Sequence, residues 1–188
     1  LRLFFGIPVD EVIRERVAEV QEQLRATQAK VKWVEPANFH FTLRFIGEVP
    51  DQEVEEFAKV AEGTWGSRTP QDVLVRGVGV FPQLRRPRVI WVGVHQGGEL
   101  ISQLHEELSA RLAHTYGGPE EKSFTPHLTI GRVKALRPDN RLTDAISEMS
   151  DVEVGVFRPD RFVLYQSRLA RSGASYRVLR TYGAGDDA

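Results

Sequence analysis

His40-Phe41-Thr42-Leu43 is echoed by His127-Leu128-Thr129-Ile130. In an extended strand, residues i and i+2 share one face. Each tetrapeptide therefore presents an imidazole beside a hydroxyl and turns its apolar residues the other way. Two such strands facing each other would place two histidines and two threonines around one cleft. Histidine is the side chain whose ordinary pKa lies near neutrality. One neutral ring can take a proton while a second, charged ring gives one. The hydroxyls can hydrogen-bond the oxygens of a phosphate. A lone His-x-Thr is most often a surface or core feature; its repetition is what points to chemistry.

The other histidines read as structural. His95 ends a strand, His105 lies on a helix beside acidic residues, and His114 stands near a helix C-terminus, where a cation is mildly favoured. Neither His40 nor His127 has a partner at a metal-ligand spacing such as His-Glu-x-x-His, so no metal is expected. Arg132, three residues beyond Thr129, could grip phosphate oxygens with its guanidinium fork. Its strand parity is opposite to that of His127 and Thr129, so a bulge or the strand end must turn it inward. Arg85, Arg86 and Arg88 form a basic cluster in a hairpin loop that could steer a polyanion. Lys122, Arg168 and Arg171 are weaker candidates of the same kind. Phe39 and Phe124 flank the motif strands and could stack on a base; core packing is the plainer alternative. Gly77-Val78-Gly79 lacks the Gly-Lys-Ser/Thr ending of a phosphate loop.

Several function classes drop out on composition. The 188 residues include no cysteine, which removes disulfides, thiolate nucleophiles and cysteine-bound zinc. A net charge of −1 argues against bulk capture of long duplex nucleic acid but leaves room for local cationic patches. No apolar run reaches bilayer-spanning length, and no leader peptide is expected at the start. These features fit a cytoplasmic protein with 41% apolar residues, enough for a substantial core.

The positioning elements follow from periodicity. Leu1 to Ile7 reads as a core strand. Val12, Ile13, Val17, Val20 and Leu24 form a helical stripe running to about Gln28. Lys32 to Val34 is a short strand, Glu35 to Asn38 a turn, and Phe39 to Ile46 the first motif strand, stopped by Gly47. Asp51 should cap a second helix with Val54, Phe57 and Ala58 on its apolar side. Val73 to Val80 and Arg88 to His95 read as antiparallel partners. A helix carries Leu100, Ile101, Leu104, Leu108 and Leu112, and Thr125 to Val133 is the second motif strand. Arg137-Pro138-Asp139 opens a helix to about Met149. Val152 to Phe157, Arg161 to Ser167 and Ser175 to Tyr182 are strands, with Gly173 in the last hairpin turn. Strands alternating with helices favour an α+β or mixed α/β domain over a sandwich. The matching contexts of the two motifs suggest an internal duplication.

With these residues in place, the chain resembles the two-histidine phosphoesterase superfamily. Within it, the chain is most similar to the RNA 2′,3′-cyclic phosphodiesterases, long named 2′-5′ RNA ligases. The likeness rests on Arg2 to Phe5, on Lys32 through Gly47, on Gly77 to Pro82 with Arg86 to Val94, and on Phe124 through Val133. One departure is Gly131, where alanine is usual. The resemblance implies a bilobal α+β fold, two antiparallel-rich sheets with outer helices and pseudo-two-fold symmetry about a central cleft. It implies one catalytic domain over residues 1–182, with a short acidic tail at 183–188 that is expected to be disordered.

The resemblance further implies hydrolysis of RNA 2′,3′-cyclic phosphate ends, tRNA fragments included, by a monomer without metal, cofactor or membrane. His40 is assigned as proton donor and His127 as proton acceptor, although the near-symmetric motifs leave the reverse open. Thr42, Thr129 and Arg132 would hold the phosphate oxygens. Three alternatives stand beside it: joining RNA ends through a 2′-5′ linkage with the same catalytic residues, acting on a small cyclic nucleotide, and binding RNA ends without turnover, which needs a phosphate pocket but no proton donors.

Overall fold

The computed structural model describes residues 1–116, 123–136, 139, 141–170 and 173–183. The chain runs β1 (Arg2–Pro8), α1 (Glu11–Arg25), β2 (Lys30–Trp33), β3 (His40–Glu48), α2 (Val54–Val60), β4 (Val73–Phe81), β5 (Val89–Gln96), α3 (Glu99–Tyr116), β6 (His127–Ala135), α4 (Arg141–Glu148), β7 (Glu153–Phe157), β8 (Arg161–Ala170) and β9 (Gly173–Gly183). It is the expected α+β fold.

All the strand pairings are antiparallel. The hydrogen-bonded order is β7-β4-β5-β6-β3-β1-β8-β9, with β2 added alongside β6. Two halves of this sheet meet where β3 touches β6, and they do so through a single residue pair, Phe41 with Leu128. The half holding β3 is completed by β8, which returns from the far end of the chain to pair with β1, and by β9, which pairs with β8. Each half thus centres on one motif strand.

Helices cover the sheet by burying one apolar face each. Ile13, Val17, Val20 and Leu24 of α1 are buried, as are Leu100, Ile101, Leu104, Leu108 and Leu112 of α3. Each such side chain contributes roughly 1.5–3 kcal/mol when fully withdrawn from water, more than helix propensity can supply. Helix α3 packs on β3, and α1 on β7.

Several local expectations need correction. Val12 is 60% exposed, and Gln21 takes a buried place on α1 instead. Helix α1 ends at Arg25, and Gln28 lies beyond it with a positive φ of 57°. Gly47 does not stop β3 but lies within it, where the pairing with β1 skips Ile46. Asp51 does not cap α2; a 3₁₀ turn over Asp51–Glu53 leads into that helix. Gly173 is the first residue of β9, and Gly183 belongs to that strand, paired with Arg161, not to the tail. The expected opening of α4 at Arg137-Pro138 and the tail beyond Gly183 lie outside the described residues. Among the described residues, no helix is long and apolar enough to cross a membrane.

Candidate active site

Phe41 and Leu128, the pair that joins the sheet halves, are the middle residues of the two His-x-Thr motifs. Both are fully buried on the core side. Strand alternation then turns the neighbours of each to the opposite face. His40, Thr42, His127 and Thr129 all line one cavity of about 450 Å³. The pairing is antiparallel, so the two motifs approach in opposite senses, as a pseudo-two-fold axis through the Phe41–Leu128 pair requires.

Arg132 lines the same cavity, and the register of β6 explains how. Ile90 pairs with Gly131 but Trp91 pairs with Thr129, so Ile130 is an extra residue. This is a β-bulge, and one inserted residue reverses parity. Buried Gln21 braces it, donating through Nε2 to the carbonyls of Ile130 at 2.9 Å and Val34 at 2.8 Å. The first motif strand bulges at the matching place: Phe5 pairs with Arg44 and Gly6 with Thr42, leaving Leu43 extra. That bulge brings Phe45 to the cavity wall, where the residue is 50% exposed. Counted from its histidine, Phe45 occupies the position that Arg132 holds in the other motif. Superposing the two motifs residue by residue was the signal that could have found it.

Both imidazoles are held in the same way. Nδ1 of His40 lies 2.7 Å from the carbonyl of Asn38, and Nδ1 of His127 lies 2.7 Å from the carbonyl of Thr125. A carbonyl only accepts, so Nδ1–H is the donor in each ring. The lone pair of the neutral ring is thereby on Nε2 in both cases. Nε2 of His40 lies 3.0 Å from Oγ1 of Thr42. Among the described residues no equivalent bond joins His127 to Thr129.

Aromatic rings wall in each imidazole. Phe4 lies 4.8 Å from His40 and Phe81 4.9 Å from His127, measured between ring centres. Tyr176 meets His40 edge-on at 5.3 Å, and Trp91 stands 6.4 Å from His127. A Cβ at Gly6 would lie 3.1 Å from the His40 ring and 3.0 Å from the Phe41 carbonyl oxygen, so a side chain there would crowd the imidazole. A Cβ at Gly79 would collide with the Trp91 indole, so the close packing of that ring requires this glycine. These wall residues were not legible from the motifs, because each comes from a different strand.

The walls set the charge state. Burial pushes the pKa of His40 down from 6.5 to about 4, opposed by its bond to Asn38 and assisted by the nearby His127. His127 is also lowered, chiefly by burial and secondarily by Arg132, against its bond to Thr125. With the cleft empty both rings are therefore neutral at pH 7. An anion within it would favour the charged form of either. The arrangement can thus exchange protons with a bound anion while Arg132 and the threonines meet its oxygens.

Other expected contacts fall elsewhere. Phe39 is 4% exposed and packs in the core, because the strand turns it away from the cleft; it has no face to offer a base. Phe124 borders the cavity, but His105 lies parallel to its ring at 3.9 Å. His105 itself is buried, with Nδ1 2.6 Å from the carbonyl of Leu43, and so ties α3 to the first motif strand. Arg86 and Arg88 line a shallow groove beyond Phe81 and Val89, at the cleft's edge. Arg85 is exposed in the same loop, and Arg168 is exposed on β8. Lys122 and Arg171 lie outside the described residues. His95 and His114 are exposed and away from the cavity. Among the described residues no three histidine or acidic side chains cluster as metal ligands would.

Comparison with known proteins identifies the family and the fold. The model of the family described as LigT like Phosphoesterase matches residues 7–91 and again 92–176, one stretch for each motif strand. The chain is 36% identical over 182 residues to an RNA 2′,3′-cyclic phosphodiesterase of Methanothermobacter thermautotrophicus, covering 97% of this chain and 98% of that one. A crystal structure of a Thermus thermophilus protein superposes with a TM-score of 0.82 at 28% identity, over 97% of each chain. E. coli LigT complexed with phosphate superposes with a TM-score of 0.71 at 25% identity, over 97% of this chain and 96% of that one. Two repeats of one family model, each carrying a histidine of the shared cleft, leave one conclusion: the chain belongs to the LigT-like, two-histidine phosphoesterases.

Proposed function

We propose that this chain hydrolyses the 2′,3′-cyclic phosphate at an RNA end to a 2′-phosphomonoester, with no metal. The observation that carries the reading is the single cavity lined by both His-x-Thr pairs and Arg132. The full-length likeness to an RNA 2′,3′-cyclic phosphodiesterase supplies the substrate class. Residues 1–182 act as one catalytic unit, because both halves contribute to that cavity.

Water attacks phosphorus in line with the bond to O3′. His127 takes the proton of the water through Nε2 as the new P–O bond forms. The P–O3′ bond breaks, and His40 delivers its Nε2 proton to O3′. Thr42, Thr129 and Arg132 meet the non-bridging oxygens as charge builds there. His40 is neutral in the empty cleft, so its role as acid depends on the bound anion raising its pKa.

That condition has a measurable sign. One ring must be charged and one neutral, so the pH dependence is bell-shaped. The profile of kcat/KM reports the empty cleft, where both pKa values are lowered, and its optimum lies on the acid side of 6.5. The profile of kcat reports the occupied cleft, where the anion raises both, so its optimum lies at higher pH. Both profiles are measured in the presence of a chelator. Superimposed optima would argue against charging of the pair by the substrate, and loss of activity that added metal restores would argue for a metal mechanism.

A further inference from the structure

A second cavity of about 410 Å³ adjoins the catalytic one and shares with it Val34, Phe45, Arg132 and Tyr176. Its far side carries Arg2, Lys32 and Lys134, and Glu35 is the only carboxylate among the described residues that line it. Among the described residues, none of these three cations forms an ion pair. Lys32 on β2 pairs across the sheet with Arg132 on β6. Lys134 follows Arg132 two residues along the same strand, is the extra residue where β2 and β6 lose register, and lines the same cavity. Cations set one after another along a groove suit the successive phosphates of a single strand.

We infer that this groove binds the RNA chain on the 5′ side of the reacting end, with the first internucleotide phosphate held by Lys32 and Lys134. The inference rests on the catalytic cleft being the cyclic-phosphate site proposed above. A nucleotide whose 2′ and 3′ oxygens are both on the cyclic phosphate continues the chain only through O5′. The chain must therefore leave the catalytic cavity through a neighbouring opening. Among the described residues, two adjoining grooves carry lysine or arginine. The groove beyond Phe81 and Val89 offers Arg86 and Arg88 but shares only those two wall residues. The groove past Phe45 shares four, one of them Arg132, and sets an exposed aromatic ring at the junction. A ring there can stack on the terminal base while the lysines meet the phosphate behind it.

The test compares kcat/KM for a nucleoside 2′,3′-cyclic phosphate with that for a trinucleotide ending in the same group. In the unsubstituted protein the trinucleotide is expected to be favoured by about tenfold or more, as one or two charge-assisted hydrogen bonds to phosphate would give. The double variant Lys32→Gln/Lys134→Gln should bring that ratio close to one. It should also flatten the salt dependence of trinucleotide turnover, by about 0.7 in log–log slope for each phosphate left without its cation. The pair Arg86→Gln/Arg88→Gln should leave the ratio high. If the arginine pair collapses the ratio and the lysine pair does not, the chain leaves by the other groove and the inference is overturned. Equal kcat/KM for the two substrates in the unsubstituted protein would also overturn it while leaving the catalytic reading intact. Turnover of neither substrate would instead count against the catalytic reading itself.

Discussion

Alanine at His40 or at His127 should each lower turnover of a 2′,3′-cyclic phosphate by roughly 10²–10⁴-fold, the usual worth of a positioned general acid or base. Both rings are bound through Nδ1 to the carbonyl two residues upstream, so each offers the same atom, Nε2, to the cleft. Removing both should cost less than the product of the single losses, because the pair acts as a unit. Circular dichroism and thermal melting should confirm that the fold survives. The two roles separate with a substrate in which sulfur replaces O3′. A thiolate leaves without a proton, so this substrate should restore activity to His40→Ala and not to His127→Ala. Restoration in the opposite variant would exchange the roles. Near-normal activity in either variant on the ordinary substrate would end the two-histidine mechanism.

Arg132→Ala should lower kcat by roughly 10²–10³-fold, comparable to losing one preorganised donor to a developing oxyanion. Arg132→Lys should recover only part of it, since an ammonium keeps the charge and loses the planar fork. The substitution carries a second signature. Arg132 holds the pKa of His127 down by charge repulsion. Its removal should therefore shift the His127 limb of the kcat/KM profile to higher pH. A loss of activity with no shift would mean that Arg132 acts away from the histidines. An unchanged kcat would remove it from the phosphate site.

Much of this site was legible because its chemistry is repeated. Parity within each His-x-Thr places histidine and threonine on one face, and the structure places all four in one cavity. Parity also demanded a bulge or the strand end if Arg132 was to join them, and Ile130 supplies the bulge. The fold was legible for the same reason: Leu100 to Leu112 and the alternating strands carry clear periods, and the elements they mark are present.

What escaped was long-range. Gln21 looks like a polar interruption in the α1 stripe until the carbonyls of Val34 and Ile130 are seen against it. Val12 looks apolar enough to be buried, yet its side chain falls outside the packed face. Phe39 lies next to His40 in sequence and on the opposite side of the strand from it. Phe4, Phe81 and Trp91 are far from their histidines in sequence and shape their pKa values by burial. Neighbours along the chain were a poor guide to neighbours in the cleft, except where the duplicated motif supplied its own template, as with Phe45 and Arg132.

The most direct measurement follows phosphorus in the product. A short RNA ending in a 2′,3′-cyclic phosphate is incubated with the protein in chelator, and the product is read by phosphorus NMR beside authentic 2′- and 3′-phosphate standards. In-line attack with O3′ as leaving group yields the 2′-phosphomonoester alone. A 3′-phosphate product, or a cyclic phosphate bound and left intact, would contradict this mechanism.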